Sequence, residues 1–87
     1  MEIEETSLDE RTSEFTLKGE DHTVANALCT RLQTMAHVAL AGYRIPHPLS
    51  REVVITVKTD GSLRPSEAVS RAAEQIAEEL ERFAKLI

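Results

Sequence analysis

The chain has 87 residues, a net charge of −5, 3% aromatic residues and no Trp, which defines one small domain over 1–87 that buries a modest share of its surface. The acidic balance argues against direct nucleic-acid contact and against an anionic membrane surface, and no apolar run approaches the roughly 20 residues of a membrane span. The opening MEIEETSLDE lacks the regions of a signal peptide, so a soluble cytoplasmic protein is expected, and the single Cys29 builds neither an internal disulfide nor a cysteine metal site.

Residues 1–18 read as a hairpin. Ile3, Phe15 and Leu17 are its apolar points, Thr6, Thr12 and Thr16 suit strands, and Leu8-Asp9-Glu10 is the expected turn. The first strand is acidic and poor in apolar residues, which places it at a sheet edge. Gly19 breaks the second strand. Asp21 or Thr23 can cap the helix that follows, and Glu20 and Asp21 complement its dipole. This first helix is expected to reach about Ala36, with Val24, Ala25, Leu28, Leu32, Met35 and Ala36 as its apolar stripe. Asn26 lies beside that stripe, either bonded across an interface or solvated.

Residues 38–45 read as a strand, with Val38 and Leu40 on one face and Ala39, Ala41 and Tyr43 on the other. Gly42 permits a bulge or a close backbone approach. Ile45-Pro46-His47-Pro48-Leu49 is a stiff connection, because each proline fixes its own φ and restricts its predecessor. Residues 52–59 are the clearest strand, with Val53, Ile55 and Val57 pointing one way and Val54, Thr56 and Lys58 the other. Thr59-Asp60-Gly61-Ser62 is a turn.

Pro65 to Ile87 form one amphipathic helix. Val69, Ala73, Ile76, Leu80, Phe83 and Ile87 alternate at spacings of four and three, and Ala72, Ala77 and Ala84 flank that seam. Pro65 suits the first turn, where a missing N–H costs nothing. At about 1.5 Å per residue such a helix outreaches a strand of about seven residues. Either it packs diagonally and is used up within its own domain, or its last turns, Leu80 to Ile87, are offered to another subunit. The order ββαββα, as a four-stranded antiparallel sheet with two helices on one face, is α+β.

Residues arranged for chemistry are scarce. His22, His37 and His47 have no helical metal-site spacing, no HExxH occurs, and Gly19, Gly42 and Gly61 stand alone, so no phosphate-cradling loop is present. Ser62, Ser66 and Ser70 read as caps or surface residues. The run Glu78-Glu79 with Glu81 is a solvated helix face that can also select a partner by charge. A convergent histidine cluster acting as acid and base remains the enzymatic alternative, and it requires two histidines in one pocket.

Three segments carry a family resemblance: Gly19-Glu20-Asp21-His22-Thr23 with Asn26 and Leu28, then Ala41-Gly42-Tyr43-Arg44-Ile45-Pro46-His47-Pro48-Leu49, then Thr59-Asp60-Gly61. In this order and spacing they resemble the small alpha-like subunits of DNA-directed RNA polymerase, namely archaeal subunit L, eukaryotic subunit eleven and the dimerisation domain of bacterial alpha. The similarity runs from about Phe15 to the C-terminus. Residues 1–14 share only a strand-turn-strand character, and Ala27 is smaller than the Leu expected there.

The resemblance implies a non-catalytic subunit of a nucleotidyltransferase complex, with no cofactor, no metal and no catalytic residue. It implies pairing with the larger alpha-like subunit, D in archaea, within a D-L-N-P type subcomplex that serves as assembly platform for the large catalytic subunits in transcription. Carried over by position, Asn26, Leu28, Leu32 and Met35 on the first helix and Ile76, Leu80, Phe83 and Ile87 on the last are partner-facing. Sequence alone does not divide these positions between sheet and partner. An unrelated homodimeric scaffold built on the same helices is the third reading.

Overall fold

Val53, Ile55, Val57 and Thr59 project from one face of a single strand and are all buried. They form the floor of the core in a computed structural model that describes residues 2–19 and 22–86. The elements are β1 (Glu2–Ser7), β2 (Thr12–Lys18), α1 (His22–Gln33), β3 (Val38–Arg44), β4 (Glu52–Thr59) and α2 (Pro65–Lys85). The strands make one antiparallel sheet in the order β1-β2-β4-β3, which puts the most apolar strand at its centre. Phe15 faces Ile55 and Leu17 faces Val53 across β2 and β4, while Ala41 faces Val57 on the other side. Ala25, Leu28, Cys29 and Leu32 of α1 and Ala68 and Ala72 of α2 close the same core from above. Both helices therefore lie on one face, as the hydrophobic alternation required.

The opposite sheet face is polar. Lys18 donates to Glu4 at 3.1 Å and Arg44 to Glu14 at 2.8 Å, and Val54 is buried in the row between Thr16 and Arg44. β1 is the expected edge strand and is exposed along its whole length. The Leu8-Asp9-Glu10 turn forms as expected. Leu8 and Asp9 both donate N–H to the Thr12 carbonyl, at 2.9 and 3.2 Å, and the Asp9 carboxylate accepts the Arg11 N–H at 2.8 Å. Gly61 closes the β4–α2 turn at φ +98, a conformation that disfavours any side chain, and a Cβ there would stand 3.2 Å from the Arg11 guanidine.

Three local expectations are corrected. α1 ends at Gln33, short of Ala36, because the next residues tighten into i→i+3 bonding. Thr34 and Met35 donate N–H to Arg31 and Leu32, both at 3.1 Å, and the Thr34 hydroxyl donates to the Arg31 carbonyl at 2.7 Å. His37 then turns the chain at φ 72. In β3, the register slips between Val38 and Leu40. That irregularity puts Val38, paired with Thr59, on the same face as Ala41 and Tyr43, while Leu40 stays on the opposite face with Lys58, as expected. It falls at Ala39, whereas Gly42 continues the regular ladder, and a Cβ added there would meet nothing within 4 Å. α2 has no side-chain cap and Arg64 is its N-cap residue, so of the two readings of Ser62, Ser66 and Ser70 the surface one holds, with Ser62 and Ser70 exposed and Ser66 half-buried. Thr23 lies inside the first turn of α1, and Glu20 and Asp21 fall outside the described residues.

Candidate partner interface

α2 is 21 residues long and rests on its own domain only near its start. Pro65, Ala68 and Ala72 are the residues it buries. Ala68 and Ala72 have no exposed surface at all, since their small side chains let the helix approach the sheet closely. Val69 and Ile76 pack at the margin of the core. Beyond them the helix leaves the sheet behind, and Leu80 is 64% exposed, Phe83 62% and Leu86 85%. The helix thus carries two apolar surfaces. A narrow strip of small residues serves the domain, and a seam of large ones is half-covered at Val69 and Ile76 and left exposed by the described residues from Leu80 onward.

α1 crosses beside this seam. Thr23, Val24, Ala27 and Leu28 of α1 and Ala73, Ile76, Ala77 and Leu80 of α2 line an apolar groove between the helices. Three alanines in its walls leave it open. On the far side of the crossing, Arg31 donates to the Glu79 carboxylate and pins the helices together. Asn26, Thr30 and Thr34 line that second, more polar depression with Ile76.

The residues assigned to a partner interface from sequence therefore separate into groups. Leu28 and Leu32 lie in the chain's own core, and Leu32 has no exposed surface. Their apolar contacts are already made within the domain, so they support the groove from beneath. Met35 and Ile76 are half-buried against the core, and of the two only Ile76 lines the groove. Asn26, Leu80 and Phe83 are exposed, and Ile87 lies outside the described residues. Sequence reading missed Ala68, which lies off the large-residue seam yet is fully buried. The signal was present in the spacing of Pro65, Ala68 and Ala72, one turn apart on a face of small side chains. It also missed Ala27 as a contributor to the open apolar surface, to which Leu86, within the expected Leu80 to Ile87 stretch, adds its exposed side chain.

No arrangement suited to catalysis accompanies this surface among the described residues. His37 donates from Nδ1 to the Asp60 carboxylate at 2.8 Å, at one end of β3. His47 belongs to the loop after the other end of the same strand, and His22 opens α1. His22 lines a depression with Ile45, Pro48 and Arg51 that no second histidine among the described residues lines, so the two-histidine pocket required by the acid–base alternative is not formed there. No group of three or more His, Cys, Asp or Glu is placed to hold a metal, and no helix is long and apolar enough to cross a membrane, among the described residues. Cys29 is buried against the core, and burial pushes its thiol pKa up, away from reactivity.

Comparison with known proteins agrees with this geometry. Residues 12–86 match the family described as the RNA polymerase Rpb3/Rpb11 dimerisation domain. DNA-directed RNA polymerase subunit Rpo11 of Metallosphaera sedula is 45% identical over 76 residues, covering 87% of this chain and 84% of that protein. Subunit Rpo11 of Thermococcus kodakarensis is 44% identical over 78 residues, covering 87% of this chain and 83% of that one. The crystal structure of DNA-directed RNA polymerase subunit L from Thermoplasma acidophilum superposes with a TM-score of 0.85, covering 98% of this chain and 83% of that one at 21% identity, and so shares the fold. A ββαββα chain with an uncovered helical seam, matched over nearly its whole length, belongs to the RNA polymerase Rpb3/Rpb11 dimerisation-domain family as a subunit of the Rpb11, or L, type.

Proposed function

We propose that the chain is a non-catalytic subunit, acting over 1–87 as one dimerisation unit that pairs with the larger alpha-like polymerase subunit, D in archaeal terms. Asn26, Ile76, Leu80, Phe83 and Ile87 meet that partner, with Leu28, Leu32 and Met35 shaping the groove from its inner side. The pair then forms the platform on which the large catalytic subunits assemble, in the cytoplasm, with subunits of the N and P type joined mainly through D. The observation that carries this reading is the bare end of α2, where Leu80, Phe83 and Leu86 stand in solvent. A chain this small gains from a partner the burial it lacks, and lasting interfaces are larger and more apolar than transient ones. A helix seam beside an apolar groove suits insertion of a partner helix, read through alternate turns.

Co-expression with the larger alpha-like subunit tests the proposal. The two chains are expected to co-purify as an equimolar complex, while this chain alone is aggregation-prone or weakly self-associated. A monodisperse solitary monomer that ignores the larger subunit would overturn it. A stable symmetric dimer that also ignores that subunit would instead establish the homodimeric scaffold.

A further inference from the structure

The two edges of the sheet are finished differently. On β3, Gln33 donates from Nε2 to the Ala41 carbonyl at 3.0 Å, the register slips at Ala39, and Pro46 and Pro48 follow closely. The Ala41 carbonyl points outward there, because the hydrogen-bonded pairs with β4 fall at Leu40, Gly42 and Arg44. That edge is capped and interrupted. β1 runs in unbroken register from Glu2 opposite Lys18 to Ser7 opposite Ser13, without a proline. Leu8 donates its N–H to Thr12 at 2.9 Å. Antiparallel alternation then assigns the hydrogen-bonded pairs to Thr6–Glu14, Glu4–Thr16 and Glu2–Lys18. The N–H and C=O groups of Ile3, Glu5 and Ser7 consequently face outward along the free edge.

Charge is concentrated on the same hairpin. Residues 1–18 contain six acidic residues against Arg11 and Lys18, a net −4 out of the chain's −5. Lys18 engages Glu4 and Arg44 engages Glu14, while Glu2, Glu5 and Glu10 make no ion pair among the described residues. Ile3 faces the helix side of the sheet, opposite Leu17, yet is 53% exposed because neither helix extends over it.

We propose that the free edge of β1 docks a basic, extended polypeptide segment, which adds to the sheet as a fifth strand. Backbone bonds to Ile3, Glu5 and Ser7 hold it, and its alternate side chains give selectivity. Lys or Arg pairs across the strand with Glu2 and Glu4 on the polar face, and an apolar residue covers Ile3 on the other. The carboxylates that attract such a segment repel a second copy of β1, so one set of charges excludes self-pairing and admits the basic strand. The site uses none of the α2 seam and stands independently of the partner proposed above.

The probe is a blocked hexapeptide of alternating lysine and valine, titrated into the isotope-labelled full chain and followed by amide NMR. Shifts and slowed exchange are expected at Ile3, Glu5 and Ser7, with binding that weakens as salt rises. Glu5→Pro removes an outward N–H without breaking the β1–β2 ladder, and binding should fall by about tenfold. A charge-swapped variant, Glu2→Lys with Glu4→Lys on one face of the strand, should lose the lysine peptide and gain an alternating glutamate–valine peptide, which keeps the test informative even if Glu5→Pro fails to fold. Undiminished binding to a folded Glu5→Pro chain would mean charge attraction without strand addition and would overturn the proposal. So would shifts confined to β3 or the helices, or no shift at millimolar peptide.

Discussion

Asp60 and His37 are joined twice. His37 donates from Nδ1 to the Asp60 carboxylate at 2.8 Å, and the Asp60 N–H donates to the His37 carbonyl at 2.9 Å. This double link ties the start of β3 to the turn that launches α2. It also supports His37 in its left-handed conformation, at φ 72, which a non-glycine residue adopts at a cost.

A pH dependence follows from that link. The His37 hydrogen bond first, and then the Ser62 N–H, hold the Asp60 carboxyl below its ordinary value of 3.8. A carboxylate with a depressed folded-state pKa contributes stability that is present above pH 3.8 and lost as the pH falls through the folded value. Asp60→Asn is therefore expected to melt below the parent near neutral pH, with the gap closing in acid below about pH 3.8. Thermal melts across that range check it, and a gap that persists unchanged into strong acid would show that charge is not its source.

The partition of the interface residues gives opposite outcomes for neighbouring leucines. Leu32→Ala is expected to destabilise the chain's own fold by about 2–5 kcal/mol, because it opens a cavity in a closed core. Leu80→Ala and Phe83→Ala are expected to leave that fold nearly unchanged, and each to weaken binding of the alpha-like subunit by about 2 kcal/mol. Denaturation and partner titration separate the two effects. Unaltered partner binding in both seam variants would remove α2's end from the interface.

Ala68 sets how closely α2 approaches the sheet. Ala68→Leu inserts three carbons where no surface is exposed, and an overpacking cost of about 1–3 kcal/mol is expected. The shift should lift the start of α2 and so redirect its free end. Partner affinity is therefore expected to fall together with stability, although Ala68 touches no partner. A stable variant with parental affinity would show that the helix angle is not set here.

His47 lies exposed in the proline-bounded loop. His47→Ala is expected to leave the catalytic rate of correctly assembled polymerase unchanged within about twofold under the non-catalytic role proposed, since only groups that act on the reacting atoms stabilise a transition state. The measurement is transcript synthesis normalised to assembled complex. A large loss of chemistry in that complex would contradict the non-catalytic role.

Much of this molecule was determined by local pattern. The β4 alternation of Val53, Ile55 and Val57, the acidic character of β1, and Pro65 at the head of α2 each specify an element without reference to the rest of the chain. Three features depended on tertiary structure. The irregularity at Ala39 moves Val38 onto the face of Ala41 and Tyr43, away from Leu40, and it arises from pairing with β4. The early end of α1 at Gln33 comes from the tight turns needed to bring the chain back into the sheet. The division of apolar helix residues between core and surface followed from where α2 leaves the sheet. Leu32 and Leu80 are the same residue type on comparable stripes, yet one is enclosed and the other is 64% exposed. Periodicity reports that a helix has an apolar face. Which part of that face is covered depends on how far the neighbouring elements extend, and that is a property of the assembled sheet.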